Sequence, residues 1–209
     1  DFMFDFSLTG LIAGLPGLVI ALVIHEYAHA KAADVMGDFT PRMTGRLTLN
    51  PMAHIDPIGL IMLLVVRFGW AKPVMINARN FRNWRQGELL VAVAGPVANL
   101  LVAFISLLAM AVLFKLGMFS EGVRLVLSMM VLFNINFAIF NMLPLPPLDG
   151  SKILMVLLPG RLAYKLMSLE RYSFIILIFL MMTPFLTMIL IPLQRLVLSI
   201  FNLIIGVII

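Results

Sequence analysis

Long apolar runs alternate with short polar, turn-rich stretches along the chain, and that alternation predicts a bundle of helices. The first run, Leu8 to Ala33, is interrupted only in its second half, by His25, Glu26, His29 and Lys31. A second covers Leu89 to Phe114 and holds Gly95, Pro96 and Asn99; a third covers Val123 to Leu148, with Asn134, Asn136, Asn141 and a proline cluster. Ser173 to Leu193 makes a fourth, and Leu196 to Ile209 a shorter C-terminal piece. About 20 apolar residues cross a bilayer as a helix. The expected fold is therefore an all-α polytopic membrane protein, a bundle of four to six transmembrane helices. With no repeat and no low-complexity segment, one domain over residues 1–209 is the economical reading.

The polar connections predict smaller pieces. Asp34 to Pro57 is rich in Gly and Pro, and within it Thr44 to Asn50 carries the alternation Arg46, Leu47, Thr48, Leu49, which predicts a short strand or hairpin between helices. Ile58 to Val66 is apolar but too short to span, so it is expected to be re-entrant or interfacial. Phe68 to Glu88 mixes Lys72, Arg79, Arg82 and Arg85 with Trp70 and Trp84, the composition of a headgroup boundary. The Arg79 to Arg85 cluster reads as an anchor to anionic lipid.

Composition sharpens this picture. Of 209 residues 62% are hydrophobic and only 12% charged, with a mean hydropathy of +1.09, which excludes a soluble cytosolic enzyme. The net charge of +5 does not imply nucleic acid; what matters is where the basic residues lie. Seven Lys and Arg fall between Asp34 and Glu88, whereas the residues before the first run hold Asp1 and Asp5 and no Lys or Arg. That asymmetry predicts an outward N-terminus, with both connections around the candidate chemistry on the cytoplasmic side. The first residues also lack the basic stretch that opens a cleavable signal peptide. With no cysteine in the chain, any metal must use His, Asp or Glu.

The first run contains His25-Glu26-Tyr27-Ala28-His29, the H-E-x-x-H pattern. A spacing of four puts both imidazoles on one helix face, where they can grip a single zinc ion, and Glu26 can reach a water on that ion. Chance produces the pattern in roughly one chain in a thousand of this composition. Ionisable groups inside a span cost on the order of 3 kcal/mol each on insertion scales, so three within five residues need a common partner. A hydrolytic zinc site also needs a third protein ligand and an open position. Asp149 ends the stretch Asn141 to Asp149, whose three prolines break the helix and free backbone to bend around a cavity. His54 is the competing ligand, and Glu88 and Glu170 stand at basic boundaries.

Four separated segments extend the pattern: the zinc motif; Gly45 to Gly59, GRLTLNPMAHIDPIG; Phe68 to Val74, FGWAKPV, with Ala94-Gly95-Pro96-Val97-Ala98-Asn99; and Asn141 to Gly150, ending in Leu148-Asp149-Gly150. In their order and spacing they resemble the site-2 protease family, peptidase family M50, in its short prokaryotic branch without PDZ or CBS domains. They span about two thirds of the chain, residues 20 to 155; the final helices carry no such signature. The resemblance implies an intramembrane endopeptidase with one Zn2+ per chain, held by His25, His29 and Asp149, with Glu26 as general base. It implies that Asn141 supports the tetrahedral intermediate and that the strand of Arg46, Leu47, Thr48 and Leu49 pairs with an unwound substrate segment. It also divides the chain into a catalytic core of about 8–155 and C-terminal helices of about 173–209.

Physics gives each expectation a reason. Zinc and an amide donor can stabilise an oxyanion, and a substrate helix must unwind before its peptide bonds are reached. If the first helix ends near Ala33, His25 and His29 lie eight and four residues inside it, roughly 6 to 12 Å from its end. A short aqueous channel from the cytosol would then supply water. The partners expected are transmembrane protein substrates and the lipid bilayer; the oligomeric state is left open. Asn141 equally suits a helix-packing role, and Gly95, Pro96 and Asn99 suit close helix contact or a kink. His54 with Asp56 suits a pair that orients a ligand or the loop. The alternatives are a divalent-metal transporter, which should show a second ligand-rich helix, and an inactive membrane-binding homologue, against which Glu26 argues.

Overall fold

The computed structural model describes residues 8–59, 62 and 70–208. The first run forms α1 (Leu8–Met36), three residues longer than the apolar composition predicts. Its stop is a glycine: Gly37 takes φ +107°, and the Asp38 N–H reaches back to the Ala33 carbonyl at 2.9 Å, a bond that closes a helix C-terminus. A short turn, α2 (Thr40–Met43), follows.

The second and third runs become α3 (Trp84–Lys115) and α4 (Glu121–Asn141). Asn83 accepts from Gln86 N–H to start α3, and Ser120 accepts from Val123 N–H to start α4. Lys115 in the last turn of α3 and Glu121 in the first turn of α4 suit the helix dipoles. Helices α1, α3 and α4 pack on one another as the central unit. Beyond a proline-rich link come α5 (Asp149–Leu157) and α6 (Gly160–Ser168), with α5 against α3.

The fourth run is not one crossing. It divides into α7 (Ser173–Met182) and α8 (Phe185–Ile208), because Pro184 forces the residue before it out of helical conformation; Thr183 lies at φ −107°, ψ 155°. Gln194 and Arg195, which separate the fourth apolar run from the C-terminal piece in sequence, lie inside α8. Among the described residues α3, α4 and α8 are long and apolar enough to cross a membrane. Helix α8 lays Leu190, Val197, Leu198 and Phe201 over a buried cluster of Ala103, Val131, Ile135 and Ile139.

The expected strand is absent. Thr44 to Asn50 is irregular, and among the described residues there is no strand, only an isolated antiparallel bridge between Ile55 and Ala71. Local bonds curl the segment. Gly45 turns at φ +69°, the Arg46 N–H returns to the Pro41 carbonyl at 2.7 Å, and Asn50 N–H donates to Thr48 Oγ1 while its side chain accepts from Met52 N–H. Such side-chain bonds compete with a ladder. The interfacial piece expected at 58–66 and the start of the Trp70 stretch lie largely outside the described residues.

The visible part of this connection is pinned by buried polar groups. Asp38, fully buried, accepts from Thr40 N–H (3.1 Å), Thr40 Oγ1 (2.6 Å), Asn77 N–H (2.7 Å) and Asn80 Nδ2 (2.8 Å). Arg46 donates to the Ala53 carbonyl and to that of Lys72. Residues 72–77 form no helix or strand and are tied at both ends, Lys72 N–H to the His54 carbonyl (2.8 Å) and Asn77 N–H to Asp38.

Candidate metal centre

Helix α1 brings His25 and His29 to one face, one turn apart, and the start of α5 brings Asp149 opposite them. Their side-chain atoms meet in a small triangle. His25 Nε2 lies 2.9 Å from His29 Nε2, and Asp149 Oδ2 is 3.1 Å from each. All three residues are buried. His25 and His29 stand eleven and seven residues before the last residue of α1, roughly 16 and 10 Å along its axis. That is deeper than a helix ending at Ala33 would place them.

The donor set suits a cation. His29 Nδ1 sits 2.7 Å from the Val91 carbonyl oxygen, which can only accept, so Nδ1 carries the proton and Nε2 presents a lone pair to the triangle. A carboxylate oxygen and an imidazole nitrogen then point at one another with no proton of their own to share. Zinc bonds of about 2.0 to 2.2 Å in tetrahedral geometry need ligand atoms about 3.3 Å apart, close to the separations found. The residues present fit a zinc ion.

Why the chain folds this way locally can be read around each ligand. Asp149 is delivered by a tight link in which Leu148 N–H returns to Leu145, and Ser151 N–H and Oγ both bond the Leu148 carbonyl. Gly150 is required there: a Cβ on it would stand 2.2 Å from the Met142 carbonyl oxygen. Lys152 Nζ approaches the second carboxylate oxygen of Asp149 at 3.4 Å. On the α3 side, a Cβ on Gly95 would stand 2.6 Å from His25 Cε1 and 2.6 Å from His29 Nε2. The glycine of the A-G-P-x-x-N segment makes room for the two imidazoles rather than for a neighbouring backbone.

Glu26 is half-buried, and its Oε2 accepts from Val74 N–H at 2.9 Å. The 72–77 segment is thereby tied to the residue between the two histidines. His54 is not part of the triangle. It is fully buried with Nε2 2.8 Å from the Thr48 carbonyl oxygen, while Asp56 accepts from Ile58 and Gly59 N–H, so both shape the connection. Arg46 is buried and likewise holds that connection, and Leu47, Thr48 and Leu49 lie on its irregular backbone. Asn141 ends α4 with its amide turned back onto the Phe137 carbonyl at 2.9 Å; the Phe137 ring packs edge-on against His25, with centroids 4.9 Å apart.

Composition and motif reading passed over three contacts: His25 Nδ1 to Asn99 Oδ1 at 2.7 Å, His29 Nδ1 to the Val91 carbonyl, and Asn99 Nδ2 to Asn134 Oδ1 at 2.9 Å. The available signal was the buried cost of asparagines within apolar helices, which demands partners. A backbone carbonyl leaves no signal in sequence.

Comparison with known proteins agrees with this chemistry. The model for "Peptidase family M50" matches residues 116–186, a stretch that includes Asp149. The chain is 42% identical over 179 residues, covering 81% of it and 82% of the relative, to "Putative zinc metalloprotease YwhC" of Bacillus subtilis (strain 168). It is 29% identical over 178 residues to "Putative zinc metalloprotease Rip2" of Mycolicibacterium smegmatis, covering 81% of this chain and 66% of that one. It is 26% identical over 159 residues to "Putative zinc metalloprotease MJ0611" of Methanocaldococcus jannaschii, covering 72% and 73%. No solved structure matches significantly. An identity of 42% sustained over four fifths of both proteins places the chain in peptidase family M50, the site-2 proteases, as a zinc metalloprotease borne on apolar helices.

Proposed function

We propose that this zinc metalloprotease is an intramembrane endopeptidase that hydrolyses peptide bonds in or near the transmembrane segments of other membrane proteins. The observation that carries the reading is the convergence of His25, His29 and Asp149 within 3.1 Å of one another, buried among helices of spanning composition. These three residues hold the metal, one ion per chain. Zinc bound there supplies Lewis acidity, polarising a carbonyl and bringing water toward a pKa near 7.

The chain's own residues do the rest. Glu26 takes the proton of the attacking water and returns it to the leaving amine. Its tie to Val74 N–H holds one carboxylate oxygen in place. Asn141, one helical turn beyond the phenylalanine that packs on His25, turns its amide from the Phe137 carbonyl to the developing oxyanion. The substrate must enter extended, and the irregular backbone of residues 72–77, which reaches Glu26 through Val74 N–H, lines its path. Helix α1, 29 residues long, serves as a further crossing with its N-terminus outward. The site then opens toward the cytoplasm of a prokaryotic plasma membrane, and the basic face after α1 lies on that side. The whole chain acts as one domain, with α7 and α8 flanking the catalytic core.

A transporter reading has less support, because among the described residues His25, His29 and Asp149 form the one group of three able to hold a metal. The test is Glu26→Gln in purified protein with a helical membrane substrate in detergent. One zinc per chain should remain while cleavage falls by a factor on the order of 10²–10⁴. Undiminished cleavage would remove Glu26 from its role.

A further inference from the structure

The two histidines of the triangle are oriented by different means. For His29 the partner of Nδ1 is a backbone carbonyl, which fixes the proton without ambiguity. For His25 the partner is the side-chain amide of Asn99, which could present oxygen or NH2. With NH2 toward His25, the ring would carry its proton on Nε2, pointing into the triangle. The direction of this one amide therefore decides whether His25 offers a lone pair.

The surroundings decide it. The far end of the Asn99 amide lies 2.8 Å from the Ala21 carbonyl oxygen, an atom that only accepts, so that end must be the NH2. Its other hydrogen meets Asn134 Oδ1 at 2.9 Å. The Asn134 amide is itself fixed by an acceptor-only atom, since its Nδ2 lies 2.8 Å from the Met130 carbonyl oxygen. A directed series of donors and acceptors thus runs from α4 through α3 to α1 and ends at His25 Nδ1–H. Asn99 and Asn134 are both fully buried, so water cannot substitute for a lost partner and each bond left unmade carries its full cost.

We infer that Asn99 is a positioning residue for the metal, holding His25 with Nε2 unprotonated and aimed at the triangle, and that Asn134 acts through Asn99 by locking the direction of its amide. The inference rests on the reading that His25 is a zinc ligand. It assigns the buried asparagines of α3 and α4 a task in metal binding beyond helix contact, and it explains an asymmetry: only the orientation of His25 depends on side chains that substitution can remove.

The experiment measures zinc affinity of the purified full chain in detergent by chelator competition, alongside thermal unfolding of the chelator-treated protein. Asn99→Leu removes both amide functions at similar volume and should weaken zinc by about 10- to 100-fold, the range for removing a partner of a metal-bound histidine. Asn134→Leu leaves the Asn99 NH2 with the Ala21 carbonyl alone, while Asn99 Oδ1 keeps His25, and should weaken zinc by a smaller factor. The double variant should match Asn99→Leu, because Asn134 has no separate route to the metal. A packing role alone would lower the unfolding temperature of the chelated protein and leave zinc affinity unchanged.

Zinc affinity of Asn99→Leu within about threefold of wild type overturns the inference; losses that add in the double variant overturn the part given to Asn134. If Asn99→Leu does not accumulate folded, Asn134→Leu decides. Weaker zinc at an unchanged unfolding temperature upholds the series, and unchanged zinc overturns it. His25→Ala serves as the separate control: wild-type affinity there would refute the ligand assignment itself, whatever the asparagine variants do.

Discussion

Replacing Gly95 with alanine sets two effects of opposite sign against each other. In an ordinary helix interior alanine is favoured over glycine by about 0.8–1 kcal/mol; here that gain is an upper bound, because Gly95 precedes Pro96 inside α3, where the proline ring crowds a Cβ on the residue before it. The added Cβ, however, would stand 2.6 Å from His25 Cε1, 2.6 Å from His29 Nε2 and 2.7 Å from His25 Nδ1. Normal contact is about 3.5–4.0 Å, so relief requires movement of about 1 Å. Neither ring is free to yield it. His25 is tied to Asn99 and packed by Phe137, and His29 is tied to the Val91 carbonyl. Metal ligands tolerate displacements of about 0.2 Å. The expected outcome is a loss of about a hundredfold or more in zinc affinity, equivalent to about 2.7 kcal/mol, which outweighs the helical gain. Chelator competition on the purified variant measures the affinity, and thermal unfolding of the chelated form measures the helical term. A Gly95→Ala protein that holds zinc within threefold of wild type and unfolds at a higher temperature would refute the close approach of α3 to the histidines.

The remaining predictions separate site from scaffold. Asp149→Ala should cut zinc per chain sharply, whereas His54→Ala should leave zinc bound and lower the unfolding temperature, because His54 fills a fully buried position against Thr48; metal analysis of both variants checks this, and the reverse pattern would exchange the two roles. Asp38 should make stability depend on acid. Burial alone would raise its pKa, but donors from Thr40, Asn77 and Asn80 outweigh this and hold it below the usual carboxylate value. A carboxyl with a depressed folded pKa contributes stability above its unfolded pKa of about 3.9 and loses it as pH falls through the folded value. The gap in unfolding temperature between wild type and Asp38→Asn should therefore be widest near neutrality and shrink below about pH 4. A gap that stays constant with pH would show that the charge is not what matters.

Some of this protein was readable from its residues alone, because the causes were local. Apolar runs as long as Leu89 to Phe114 have few stable places other than a bilayer, and the histidines at 25 and 29 share a helix face by periodicity. Three prolines before Asp149 release backbone that a regular helix could not. Other features escaped alternation and hydropathy, some for local reasons and some because they turned on atoms distant in the chain. The alternation at Arg46 to Leu49 predicted a strand, but Gly45, Thr48 and Asn50 close bonds within the segment that outcompete a ladder. Pro184 divides a run that hydropathy reads as continuous. Composition also could not choose between Asp149 and His54, since either could complete a zinc site. Packing of α5 against α3 brings the carboxylate to the two imidazoles, and the Thr48 carbonyl holds the third imidazole elsewhere. Likewise Asn99 is only a polar residue in a greasy helix until α1 and α4 place a histidine, a carbonyl and a second asparagine around it. Periodicity places a side chain on a face of its own helix; which atom it meets there is decided by the helix packed opposite.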